Sequence, residues 1–164
     1  MDGRPAHRLF PVRMRPLVVI LLAVCLGATG TSRSSAQQSA TPAAFPAGAW
    51  AAIAHGKLAD AEAQARAREA GDADAAAILG HLAIRKGEYD AAVKLLEPAA
   101  AQAPIGAAAL ELGLLHQRLG RTEAGTRLLT AIFRQGSSAA DGAVLARAAR
   151  AAQALNLPQE ANSL

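Results

Sequence analysis

From about Ala49 to the end of the chain, apolar residues recur three and four positions apart, as in Ile78, Leu79 and Leu82 and again in Val93, Leu95 and Leu96. That period lays one apolar stripe along an α-helix, and it predicts amphipathic helices throughout. The pattern breaks at Gly56, Gly71-Asp72, Gly87, Ala103-Pro104, Gly120, Gly136-Ser137 and Leu157-Pro158, residues that end helices and turn chains. The segments between the breaks are helices of roughly 11 to 15 residues, a usual length for a globular helix. β-Branched residues are scarce after residue 40 and never alternate, so no strand is expected. The predicted class is all-α.

A different pattern occupies the first segment. Arg13 and Arg15 precede an apolar run from Leu17 to about Ala28, and the chain then turns small and polar, with Ser34-Ser35-Ala36 before Gln37-Gln38. This order is that of a secretory signal peptide cleaved after Ala36, and the run is too short for the ~20 residues a spanning helix needs. Met14 is an alternative start. Cys25 would suit lipid attachment, but the residue before it is the bulky Val24 where that modification wants a small one, so soluble export is the reading adopted. Removal of residues 1–36 also removes the single Cys, and with it disulfides, thiolate metal sites and a Cys nucleophile. Residues 37–47 are polar, contain Pro42 and Pro46, lack any period, and read as a flexible linker.

Charge sharpens the division. The chain carries 17 Lys+Arg and 13 Asp+Glu for a net +4. Residues 1–36 contain Arg4, Arg8, Arg13, Arg15 and Arg33 against Asp2, which accounts for all of that excess. The remainder is formally neutral, without basic clusters or stacking aromatics, and this excludes an electrostatic footprint for nucleic acid. Alanine is abundant and aromatic residues make up 3%, which favours closely packed helices over a sandwich or barrel. Arg far outnumbers Lys, as a GC-rich bacterial genome would produce.

The regular breaks call for a repeat search. Ala75–Ala92 superimposes on Ala108–Gly125, setting Leu79-Gly80 on Leu112-Gly113, Gly87 on Gly120 and Tyr89 on Thr122. The offset of 33 residues continues through Leu96 on Leu129 and Ala99 on Ile132. The best copy, about 73–106, holds Leu79, Gly80, Gly87, Tyr89, Ala92, Leu96, Ala99 and a closing Pro104. Those residues resemble the tetratricopeptide repeat, a helix–turn–helix unit of about 34 residues. A second copy, about 106–139, keeps Leu112, Gly113, Gly120 and Leu129. A degenerate unit at about 48–72 precedes them, its first helix shortened by Pro46, and a partial unit runs from about 142 to 164. The resemblance implies antiparallel helix hairpins over 48–164, stacked as a short α-solenoid. Because the last unit stops part-way through its second helix, two readings stay open: a stub that closes the array, or a fragment whose further repeats or effector domain lie beyond Leu164.

By the same resemblance, the first helices line a concave groove for a protein or peptide partner. The residues implied are Asp74, Ala77, His81, Ile84 and Arg85 in the best copy, Leu110, Leu114, Gln117 and Arg118 in the next, and Arg150 and Gln153 in the last. Arg85, Arg118 and Arg150 are expected near equivalent points, where they would present guanidinium forks to acidic groups or simply favour the helix ends. The Lys and Asn clamp with which some relatives grip a chaperone's C-terminal carboxylate is missing at Ala77, His81, Leu110 and Leu114. His55, His81 and His116 are isolated from one another, without metal-ligand spacing, and are expected as partly exposed helix residues. Glu88 and Asp90 flank Tyr89 without a base or nucleophile nearby, and Trp50 is expected in packing. No cofactor or metal site and no catalysis are expected. The sequence therefore points to an exported, periplasmic or secreted interaction scaffold, with the regulatory arm of a larger envelope enzyme, such as a peptidase or cell-wall hydrolase, as the alternative.

Overall fold

The computed structural model describes residues 44–68 and 70–164. The expected signal peptide, the Met14 start, Cys25 and most of the linker lie outside them. Among the described residues there are eight helices and no strand: α1 Ala47–Ala54, α2 Leu58–Arg66, α3 Ala73–Lys86, α4 Tyr89–Gln102, α5 Ala107–Arg118, α6 Thr122–Gly136, α7 Gly142–Ala154 and α8 Pro158–Asn162. None is long and apolar enough to cross a membrane.

One turn, built four times, organises them. Gly56, Gly87, Gly120 and Asn156 each adopt a left-handed backbone, with φ of 74°, 81°, 75° and 61°. The next residue's N–H reaches back to the carbonyl five positions earlier: Lys57 to Ala52, Glu88 to Ala83, Arg121 to His116 and Leu157 to Ala152, at 2.8–2.9 Å. This bond closes an odd-numbered helix and satisfies one of its orphan carbonyls, while Gly or Asn accepts the left-handed conformation at little steric cost. The following helix then starts at Leu58, Tyr89, Thr122 or Pro158. The result is four hairpins, α1–α2, α3–α4, α5–α6 and α7–α8. Between hairpins, Asp72 caps α3 by accepting from the N–H groups of Asp74 and Ala75 at 3.0 and 2.9 Å, and Asp141 caps α7 through Ala143 at 2.7 Å.

Each helix packs on the next, and in addition α3 packs on α5 and α5 on α7. The odd helices from α3 onward therefore form one continuous layer. Small residues permit this: Ala61, Ala92, Gly125 and Ala161, all buried, occupy the same position in the four even helices. The five largest fully enclosed side chains, Ile78, Leu96, Leu115, Leu129 and Ile132, fill what space remains. Gly80 shows how tight the hairpin is, since a Cβ there would stand 2.5 Å from Leu96 Cδ2. Pro98 lies inside α4 on its exposed side. There it costs one backbone bond, which the packing of the opposite face, Ala92, Leu96, Ala99 and Ala100, outweighs.

Candidate functional site

The repeated turn supplies a register for every odd helix. Six positions before it stand Trp50, His81, Leu114 and Arg150, one from each hairpin. All four are partly or well exposed, and they form a stripe across the odd helices. Arg85 and Arg118 share a different register, two before the turn, where Ala154 stands in the last hairpin. Arg150 is therefore not their equivalent, and this corrects the expected row of three arginines. Arg150 lies six positions before its turn residue, Asn156, whereas Arg85 and Arg118 lie two before theirs.

Beneath the stripe lies a carboxylate. Glu111 of α5 is 4% exposed; its Oε2 is 3.0 Å from His81 Nδ1 on α3, and its Oε1 is 3.6 Å from Arg150 Nη1 on α7. A carboxylate oxygen only accepts, so the hydrogen of this bond sits on Nδ1 of His81, which donates. On the other side of His81, Trp50 of α1 meets the imidazole edge-on, with centroids 5.3 Å apart and planes at 77°. One polar and aromatic line thus runs through all four odd helices. A buried charge is tolerated only when paired, and here the two partners come from the hairpins before and after it.

Two further bonds tie α7 to α5. Arg147 Nε donates to the carbonyl of Ile105 at 3.0 Å, just before α5 begins. Gln117 Nε2 donates to the carbonyl of Ala154 at 3.4 Å, one of the carbonyls left without a helical partner at the end of α7. Gln117, expected in the groove, is thus partly spent on holding the next hairpin.

The other expected groove residues divide by burial. Asp74, Ile84 and Leu114 are half-buried, and Arg85, Arg118, Arg150 and Gln153 are exposed. Neither Arg85 nor Arg118 makes an ion pair among the described residues. Ala77 and Leu110 are buried, at 0% and 4%, because the close approach of neighbouring odd helices covers that register; they support the face and are not presented on it. His116 also differs from expectation. It lies two positions beyond Leu114, about 200° around the helix, and is buried at 8% rather than partly exposed.

Sequence reasoning passed over Glu111 and Arg147 and assigned Trp50 to packing alone. A signal for Glu111 was present: the superposition sets it on Ile78, a fully buried residue, and an acid in a core register needs a partner. No cluster of three or more metal-ligating side chains occurs among the described residues. No protein-family model, no curated protein and no solved structure matches the chain.

Proposed function

We propose that the chain is an exported array of tetratricopeptide-type repeats that holds an extended peptide or a partner helix against its odd helices, without catalysis of its own. The observation that carries this reading is the stripe Trp50, His81, Leu114 and Arg150, four side chains in one register of four hairpins that share one turn. An extended chain crossing successive hairpins meets an aromatic ring, an imidazole, an apolar side chain and a guanidinium in turn. Arg85 and Arg118 stand beside this line with exposed guanidinium groups. The export part of the reading rests on the order of basic, apolar and small residues before Gln37.

Photo-crosslinking in bacterial envelopes tests it. A photoreactive residue at Leu114 is expected to trap a defined partner that a probe at the exposed Thr126 of α6 does not. Titration with that purified partner should then weaken at least about tenfold, roughly 1.4 kcal/mol, in the Arg85→Glu/Arg118→Glu variant. Equal crosslinking from Thr126, or unchanged affinity in the double variant, removes this face from consideration.

A further inference from the structure

Four positions before each turn residue, the odd helices carry Ala52, Ala83, His116 and Ala152. All four are buried, so in the third hairpin an imidazole occupies a place that a methyl group fills in the others. The ring's Nδ1 is fully enclosed and has no hydrogen-bond partner among the described residues. Among the described residues the charged groups acting on it are Arg121, at the turn into α6, and Glu97 on α4. We propose that His116 is an acid-sensitive joint: its protonation drives the imidazole out from where α4, α5 and the turn into α6 meet, and loosens the seam between the second and third hairpins. The other hairpins, with alanine in this register, have no such joint. This inference goes beyond partner binding and does not rest on it.

The chemistry fixes the direction. A neutral ring suits an enclosed site, whereas an imidazolium requires water or a counter-charge. Burial, and after it the Arg121 guanidinium, hold His116 below the ordinary imidazole range, with Glu97 acting in the opposite sense. In the unfolded or locally opened chain the ring recovers its ordinary value near 6.5. The closed form is thus fully favoured above that value and loses ground as pH falls from it towards the lowered value of the closed state. Glu97 is exposed and offers an expelled imidazolium a partner at the surface.

Amide hydrogen exchange on the full chain from about pH 7.5 to about pH 5, corrected for the intrinsic pH dependence of exchange, tests the joint. In the wild type, opening of α5 and of the α4 and α6 amides beside it is expected to increase by up to about tenfold per pH unit below ~6.5, with α1 and α2 unchanged. His116→Ala, which restores the residue of the other three hairpins, and His116→Phe, which fills the space with a ring that does not titrate, should both be flat across this range. His55 and His81 remain in both variants as internal controls. Three results overturn the proposal: a flat wild-type profile, an acid response that survives either substitution, or a His116 ring that titrates at the ordinary value by NMR.

Discussion

Replacing Gly80 by alanine places a methyl group 2.5 Å from Leu96 Cδ2 and 2.6 Å from its Cγ, against a side chain that is itself fully buried. Neither atom has free space to move into, so either the α3–α4 hairpin widens or Leu96 leaves its rotamer, at a cost of about 1–3 kcal/mol. Alanine's better helix propensity returns about 1 kcal/mol, and the net expectation is a loss of about 1 kcal/mol. Leu96→Ala alone opens a cavity worth about 2–5 kcal/mol. In the double variant the added methyl enters the space that Leu96 vacates, so its stability should equal or exceed that of Leu96→Ala, with a favourable coupling of at least about 1 kcal/mol. Urea denaturation followed by far-ultraviolet circular dichroism measures all four corners of the cycle. The same cycle at Gly113 and Leu129, where the approach is looser at 3.0 Å, should couple less. Additivity within about 0.5 kcal/mol at Gly80 and Leu96, or a Gly80→Ala variant stabilised by the full helix-propensity gain, would refute the close approach as the reason for glycine there.

At the α3 cap, Asp72→Ala should cost about 1 kcal/mol in the same assay, while Asp72→Asn keeps most of the cap. Because the Ala75 amide, with help from the Arg68 side chain and the backbone N–H of Asp74, holds the Asp72 carboxyl below its ordinary value of 3.8, its contribution is complete above that value and is lost as pH falls through the lowered one. Thermal melts should accordingly show any advantage of the wild type over the Asp72→Asn variant shrinking from about pH 5 to about pH 3, and a constant difference would contradict the linkage. For Glu111, substitution by Ile, the residue in the same register of α3, is expected to be neutral or stabilising, whereas Glu111→Ala leaves the half-buried His81 Nδ1 without its acceptor beside a cavity and should lose about 1–3 kcal/mol. Equal losses for Ile and Ala would show that the pairing itself carries the stability.

The helices and their turns were legible because both are local. A period of three and four residues needs only neighbours to express it, and a glycine that must adopt positive φ announces its place at Gly56, Gly87 and Gly120. The small Gly80 and the large Leu96 were visible as repeat positions, but that one faces the other at 2.5 Å is seen only once the hairpin has closed. The candidate site was harder to read, because its members are contributed one per hairpin. Glu111 stands 30 positions after His81 and farther still before Arg150 in the next hairpin, and no local pattern links a histidine, an acid and an arginine over such distances. Arg85 and Arg118 were placed in one register by their offset, but Arg150 was misplaced with them, since the interval from it to the last turn is longer.

By itself, the order of residues determined an all-helical chain cut into paired segments by left-handed turns, for those depend on backbone geometry within a few positions. It also separated a basic first segment from a body of balanced charge. Only the tertiary structure decided which side chains face out. Neighbouring odd helices approach closely enough to bury Ala77 and Leu110 and to enclose Glu111 between His81 and Arg150 from different hairpins, while His116 is shut away from water where α4, α5 and the turn into α6 meet. Burial is a property of the space between helices, and that space exists only once the hairpins have stacked.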